Sequence, residues 1–213
     1  LYVSVSDMLG NTYTTAITSF MYRSFPEISG GEVSGVYVNR DGSSYISEPL
    51  ELSLSGYDSY KIKSIQLVKD GNASNVVDGK FTIDSTGNYT VRVEDIVGDV
   101  KTYSLSDLFG ELSSSIVLDV DAPVFGNTSF SGEIISEGGV DYYMENGNVV
   151  FTVTEPLVGI NPESWEVTGT EDFTVSEDGL SITVPTENIP ECTFSLSVSV
   201  ADRLGNSSSS SLS

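Results

Sequence analysis

Carboxylates dominate the side chains of this sequence that could do chemistry. The chain has 31 aspartate and glutamate residues against nine lysine and arginine residues, one cysteine and no histidine. Without histidine it can hold neither a Ser-His-Asp triad, nor a Cys-His pair, nor a zinc site built on imidazole. Two carboxylates could act together as in a glycosidase, but nothing in the sequence singles out a pair. The sequence therefore predicts that this protein is not an enzyme.

The remaining reactive patterns also have structural interpretations. The glycines of Ser29–Gly35 are not followed by lysine and do not join a strand to a helix, so they do not form a phosphate loop. Cys192 is expected to be a small buried residue that begins a strand, because no neighbouring group would stabilise its thiolate. With one cysteine, an internal disulfide is excluded.

An aromatic group offers a different chemistry, that of ligand docking. Tyr142, Tyr143 and Trp165 could form a patch on which a sugar or peptide stacks. Successive residues of a strand point to opposite faces, so at most one of the two tyrosines would be exposed. Trp165 has the alternative of being the core tryptophan of its domain. Tyr142 and Tyr143 are the candidate ligand-binding residues.

The charge of the chain restricts its partners. A formal net charge of −22 repels phosphate backbones and anionic lipid surfaces, so we expect neither nucleic-acid binding nor membrane association. No apolar run approaches the ~20 residues of a membrane helix, and no signal peptide opens the sequence. The sequence is expected to be a piece of a longer polypeptide.

A nine-residue pattern occurs three times and shows which elements must position these groups. It is VSVSDMLGN from Val3, VRVEDIVGD from Val91 and VSVADRLGN from Val198. Alternating β-branched residues predict a strand with one buried face, and Asp-x-x-Gly-Asn/Asp predicts a turn in which aspartate bonds backbone amides and glycine takes positive φ. A polar strand follows each turn, so each copy is interpreted as the last hairpin of a domain.

The spacing of the copies predicts the domain organisation. They are about a domain length apart, and Pro26 and Pro123 each lie shortly after a hairpin, where a strand cannot continue. The predicted units are a hairpin of a preceding domain at 1–24, a domain at 25–119 and a domain at 120–213. Short strands separated by turns predict an all-β fold of tandem β-sandwiches, with at most one helical turn, in Leu105–Ser115.

The stretches GNYTVRVEDIVGD, FSLSVSVADRLGN and VDAPVF resemble the endings and openings of bacterial immunoglobulin-like domains of surface proteins and adhesins. Asp99 and Phe194 depart from the family pattern, which has asparagine and tyrosine there. The resemblance implies tandem immunoglobulin-like sandwiches, and it implies that Tyr89 is a corner tyrosine whose hydroxyl bonds the backbone.

The stretch LDVDAPVF, Leu118 to Phe125, also resembles the calcium-binding linker of cadherins. That resemblance implies Asp119 and Asp121 as Ca²⁺ ligands, joined by Asp95 if its turn lies near the junction, since calcium takes six to eight oxygen ligands. The acidic clusters that cadherins place elsewhere are missing, so simple solvation of the linker is the alternative.

Together these observations predict a structural spacer or stalk of a bacterial surface or secreted protein, located outside the cell, that presents an adhesive or catalytic region elsewhere. Its partners would be neighbouring domains of the same polypeptide. One alternative is a module that binds a glycan or host protein through its loops. The other is a rod stiffened by calcium, with no further cofactor.

Overall fold

The computed structural model describes residues 2–16, 24–143, 147–188 and 195–212. Most of them lie in β-strands, and the helical segments are short: one α-helix, α1 (Leu105–Phe109), and 3-10 turns at Ser59–Lys61, Pro162–Ser164 and Thr186–Asn188. None of the helices in this part of the chain has the length and hydropathy needed to cross a bilayer. The all-β prediction is confirmed, including the single helical turn expected after Leu105.

The strands fall on both sides of a connection at residues 119–123. Before it they are β1 (Tyr2–Ser6), β2 (Thr12–Ala16), β3 (Gly30–Ser34), β4 (Val38–Arg40), β5 (Ser43–Ile46), β6 (Leu50–Ser55), β7 (Ile62–Lys69), β8 (Asn72–Asn75), β9 (Lys80–Ile83), β10 (Gly87–Asp95), β11 (Val100–Ser104) and β12 (Ser115–Leu118). After it they are β13 (Val124–Phe125), β14 (Ser129–Phe130), β15 (Ile134–Glu137), β16 (Val140–Tyr143), β17 (Asn148–Thr154), β18 (Glu166–Thr168), β19 (Thr174–Val175), β20 (Ser181–Pro185), β21 (Leu196–Ala201) and β22 (Ser207–Leu212).

Two sheets enclose the first core. One has the order β4-β5-β12-β10-β7-β8 with β11 also paired to β10, and the other has the order β3-β6-β9. Strands β5 and β12 are parallel, and the other pairs in these sheets are antiparallel. Alternate residues of the facing strands are buried, as in β10, where Tyr89, Val91 and Val93 are at most 2% exposed. The cluster of buried residues runs from Ile28 to Ile116.

The second core has the same two-layer plan. Its sheets have the orders β13-β17-β20-β19, with β14 also on β17, and β18-β21-β22. The buried cluster runs from Val149 to Val200, and Trp165 lies within it. The indole Nε1 of Trp165 donates to the carbonyl oxygen of Gly179 at 3.0 Å, which satisfies its polar edge inside the core. Trp165 is therefore a core residue and not part of an aromatic patch.

Two hairpins stand apart from these sheets. Strands β1 and β2 pair only with each other among the described strands, as do β15 and β16. All of the residues described in β1 and β2 are exposed. The hairpin of residues 2–16 belongs to neither buried cluster.

The repeated hairpin is not the last element of the first core, which differs from the sequence interpretation. Helix α1 and strand β12 follow β10 and β11, and β12 closes the sheet between β10 and β5. Helix α1 buries Leu105, Leu108 and Phe109, and a capping box between Ser104 and Asp107 fixes its start. The segment after the second turn therefore completes the core and is not an appendage.

Candidate functional site at the junction of the two cores

The three repeated turns fold alike. The amide of the first aspartate donates to the carbonyl oxygen four residues ahead, at 2.9 Å for Asp7, 2.9 Å for Asp95 and 3.0 Å for Asp202. One carboxylate oxygen of each accepts the amides two and four residues ahead. The glycine three residues ahead has φ values of 87°, 96° and 92° respectively. The predicted turn is confirmed in all three copies. It forms in each of them because its hydrogen bonds lie within the turn itself.

The surroundings of the three turns differ. Asp7 is exposed, whereas Asp95 and Asp202 are each 1% exposed. At the tip of the turn, Leu204 is 8% exposed, while the equivalent Leu9 and Val97 are 89% and 57% exposed. The third turn is therefore covered at its tip, and the other two are open there.

The first core supplies part of this cover. The hydroxyl of Ser47 donates to the carbonyl oxygen of Leu204 at 3.2 Å. The Nη1 of Arg40 donates to the carbonyl oxygens of Pro156 and Leu157 at 3.4 and 2.5 Å. These bonds join the end of the first core that carries β4 and β5 to the end of the second core that carries the third turn.

Asp119 lies in the middle of the junction and is 2% exposed. Its amide donates to the carbonyl oxygen of Ile46, and its Oδ1 accepts the amide of Asp121 at 3.2 Å. The side-chain amide of Asn206 donates to the carbonyl oxygen of Asp119 at 3.1 Å and to Oδ2 of Asp202 at 2.8 Å. Within the described structure, Oδ2 of Asp119 is buried with no hydrogen-bond partner.

The electrostatic field at Asp119 is unfavourable for a carboxylate. Burial raises the pKa of Asp119, and the negative charges of Glu155, Asp202 and Asp121 raise it further, against the lowering effect of the Asp121 amide. Across the described ranges, no three acidic residues are already close enough to hold a metal ion.

The structure brings together two of the three predicted calcium ligands. Asp119 and Asp121 lie side by side, whereas Asp95 ends strand β10. Strand β12 pairs antiparallel with the start of β10 and then runs away from Asp95. The nine residues of β10 span roughly 30 Å, so Asp95 cannot share an ion with Asp119.

Asp95 instead lines a groove of about 600 Å³ at the opposite end of the first core. The other lining residues are Ser24, Phe25, Pro26, Glu27, Asp58, Lys61 and Ile96. The Nζ of Lys61 lies 3.1 Å from Oδ2 of Asp58, which gives this end a cation among its carboxylates. Side-chain bonding to Lys61 is the largest cause of the lowered pKa of Asp58.

The predicted aromatic residues are separated. Tyr142, which is 53% exposed, lies in β16, paired with Ile135 of β15. The side chain of Tyr143 lies outside the described structure, as does Cys192. Tyr89 behaves as the resemblance implied, because its hydroxyl donates to the carbonyl oxygen of Ser85 at 2.7 Å.

Sequence reasoning missed Glu155 and Asp202 as neighbours of Asp119. The sequence pattern identifies Asp202 as a turn residue, and the structure shows that its negative charge also acts on Asp119. Glu155 stands just before Pro156, in the loop that follows β17. The acidic residue at that position is the signal that the sequence offers. Only the contact between the cores shows that this residue is a neighbour of Asp119.

The chain is similar to a solved adhesin structure, whereas comparison of its sequence finds no relative. No model of a known protein family matches the chain, and no curated protein sequence matches it. One solved structure, described as a Ca²⁺-stabilised adhesin that helps an Antarctic bacterium reach out and bind ice, is 16% identical. The match covers 99% of this chain and 54% of that chain, with a TM-score of 0.33. The chain thus spans about half the length of that protein.

Proposed function

We propose that this chain is a segment of tandem immunoglobulin-like β-sandwich domains that spaces and presents another region of a bacterial surface or secreted protein. Its role is mechanical and not enzymatic, and its partners are the neighbouring domains of the same polypeptide. The segment acts outside the cell.

The observation that carries this proposal is the bonded junction between two separate cores. Buried clusters occupy Ile28–Ile116 and Val149–Val200, and residues 119–123 connect the strands around them. Hydrogen bonds from Ser47 and Arg40 cross from the first core to the second. A short connection with crossing bonds limits the angles between the cores, which is what a spacer requires.

The hairpin of β1 and β2 fits the same proposal as part of a preceding sandwich. Its Val3 and Val5 are 42% and 65% exposed, while their equivalents Val198 and Val200 are each 1% exposed within the second core. An isolated two-stranded ribbon is marginal in water. The remaining strands of a third sandwich would cover this face as β17 and β20 cover the second core.

Single-molecule energy transfer tests whether the junction is fixed. Dyes are attached at Val77 in the first core and Glu177 in the second, both exposed, in a Cys192→Ser background. We expect one narrow distribution of transfer efficiency for the unaltered junction. The Arg40→Ala, Asn206→Ala double variant removes bonds made at the junction and should broaden the distribution.

Arg92→Ala is the matched control, because Arg92 donates to Gln66 within the first core and not to a residue of the junction. It should leave the distribution narrow. A broad distribution in the unaltered junction would refute the spacer.

A second candidate function rests on the hairpin of β15 and β16. Ile134 and Ile135 are each 46% exposed, and Tyr142 is 53% exposed, so this ribbon offers apolar surface beside the second core. Such a surface could dock a glycan or a host protein. Screening the chain and its Tyr142→Ser variant on a glycan array tests this alternative, and binding that Tyr142→Ser abolishes would support it.

A further inference from the structure

We propose that one end of the first core is the docking surface for the preceding sandwich, the one that strands β1 and β2 close. We call it the turn end of the first core. It consists of residues 24–27, the loop between β6 and β7 (residues 56–61) and the second turn (residues 95–99). The inference rests on the proposed spacer function and deepens it, because it names the surface through which a neighbouring domain is held.

The second core shows what an occupied end of this kind looks like. Its corresponding segments are the connection between the cores, the loop between β17 and β18, and the third turn. Arg40 of the first core donates to two carbonyl oxygens of this loop, and Ser47 donates to the carbonyl oxygen of Leu204 in the turn. The adjoining sandwich therefore bonds both the loop and the turn.

The first core builds its own loop and turn in the same way. Each loop contains a 3-10 turn whose N-cap side chain, Asp58 or Asn161, accepts the amide two residues ahead. The residue after the turn aspartate donates to a carbonyl oxygen of that loop in both cores, at 3.1 Å from Ile96 and at 3.1 Å from Arg203. The two ends are therefore equivalent surfaces of two sandwiches.

The equivalent ends differ in what covers them. Val158 and Leu204 of the second core are buried although neither belongs to a buried cluster of either core. In the first core, Tyr60 of the loop is 91% exposed, and Ile96 and Val97 of the turn are both more than half exposed. Apolar side chains exposed together mark a contact surface. The turn end of the first core therefore has the build of a junction and no cover among the described residues.

The groove of about 600 Å³ lies between the three segments of the turn end, and each residue that lines it belongs to one of them. Phe25, Pro26 and Ile96 give the groove apolar walls, and Lys61 with Asp58 adds an ion pair. A surface that combines apolar and charged groups is typical of contacts between domains of one chain. We expect the occupant to place apolar side chains in the groove and to donate hydrogen bonds to the turn.

The length of the chain commits this surface to one occupant. Strand β2 ends at Ala16, and the groove begins at Ser24, eight positions later, so the two are at most roughly 29 Å apart. A sandwich built on the β1–β2 hairpin is thus tethered beside the turn end. Tethering raises its local concentration there above that of a free partner.

Thiol labelling in a Cys192→Ser background tests the proposal. Val97→Cys reports on the turn end, Leu204→Cys on the covered end, and Val77→Cys, at an exposed position of the first core, is the control. In the 213-residue chain, Val97→Cys should react as fast as Val77→Cys, and Leu204→Cys should react more slowly. Addition of the residues that precede Leu1 in the polypeptide should slow Val97→Cys at least about tenfold, because a covered thiol reacts only when the contact opens. Val77→Cys should keep its rate.

A charge placed in the groove identifies the surface. In the longer polypeptide, Ile96→Asp should restore rapid labelling of Val97→Cys, because docking would bury the new carboxylate. Each rate is divided by the rate of the same variant in the 213-residue chain, which removes the direct effect of the charge on the thiol. Val77→Asp makes the same change outside the groove and should leave the labelling slow. Ile96→Asp should shift the Tm of the 213-residue chain by less than about 2 °C, so restored labelling would not reflect unfolding.

Unchanged labelling of Val97→Cys in the longer polypeptide, or protection that survives Ile96→Asp, would overturn the proposal. An upstream sequence that folds into no sandwich would do the same. Protection that grows with the concentration of the 213-residue chain alone would assign the turn end to a second copy and would equally refute the proposal. Energy transfer between Val77 and Glu177 reports on the junction of the two cores, so the spacer function and this docking surface fail separately.

Discussion

The first and third hairpins share a sequence pattern and a set of turn bonds, yet one is open and the other buried. Asp7 and Asp202 each accept two backbone amides and a side-chain amide, from Asn11 and Asn206 respectively. Val5 is nevertheless 65% exposed and its equivalent Val200 is 1% exposed. The turn therefore forms through hydrogen bonds among its own residues. The stability that the strand contributes depends instead on what covers its side chains.

The second hairpin lies between these extremes. Its strand is buried, with Val91 and Val93 fully covered, but its tip is open, with Val97 57% exposed. The third turn differs because the first core bonds it through Ser47. A repeat can thus be buried at two places: its own core covers the strand, and a junction with another core covers the tip of the turn.

The largest expected effect comes from a charge in the buried strand. Val200→Asp should destabilise the second core by about 4 kcal/mol or more, because it buries an unpaired carboxylate. Val5→Asp should change stability by less than about 0.5 kcal/mol. Urea denaturation followed by the fluorescence of Trp165, the one tryptophan and a residue of the second core, measures Val200→Asp, and hydrogen exchange of the amides of β1 and β2 measures Val5→Asp. Equal effects would show that the two strands have the same surroundings.

Removing the turn aspartate should have the next largest effect. Asp202→Ala leaves the amides of Leu204 and Asn206 without their acceptor inside a covered turn, which should cost about 2–3 kcal/mol. Asp7→Ala frees equivalent amides that water can reach, so its cost should be below about 0.5 kcal/mol. The same denaturation measures Asp202→Ala. Hydrogen exchange of the amides of residues 9 and 11 follows Asp7→Ala locally.

Replacing Asn206 of the third turn by aspartate, the residue that the second turn has at the equivalent Asp99, should have a smaller effect. Asn206→Asp removes the amide that bridges Asp119 and Asp202, and it adds a negative charge beside both. It should destabilise the chain by about 1–2 kcal/mol. Asn11→Asp makes the same change in the open hairpin and should be nearly neutral. A neutral Asn206→Asp would indicate that the bridge contributes nothing to the junction.

The smallest predicted effect concerns pH. Because the folded-state pKa of Asp119 is raised, the folded chain holds this proton more tightly than the unfolded chain. That contribution is present below the ordinary aspartate pKa, about 4, and is lost as the pH rises through the raised pKa. Asp119→Asn should therefore become progressively more stable than the unaltered chain across this window.

Urea denaturation of both proteins at pH values on either side of the window measures the difference. Exposed carboxylates with lowered pKa values, such as Asp7 and Asp107, titrate in both proteins, so their contributions cancel in the difference between the two free energies of unfolding. A difference that does not vary with pH would show that the charge of Asp119 is not what the junction penalises.

Local features were predictable from the sequence, and features of the junction were not. Alternation and Asp-x-x-Gly spacing predicted the three hairpins, since the forces that form them act within nine residues. The parallel pairing of β5 with β12 had no local signal. The meeting of Asp119 with Asp202 and Glu155 depends on how the cores abut, so a pattern of neighbouring residues cannot encode it. Sequence reasoning grouped Asp95 with Asp119 and Asp121, whereas the structure places Asp95 at the other end of the first core.

Force spectroscopy on the full chain, pulled from both termini, tests the central claim most directly. That claim is that two cores close separately and stand in series. It predicts two unfolding events, each releasing roughly 30 nm of chain, since each core is built from a little under a hundred residues of at most ~3.6 Å. Val200→Asp should remove one event and keep the other. A single event releasing the combined length would contradict the account.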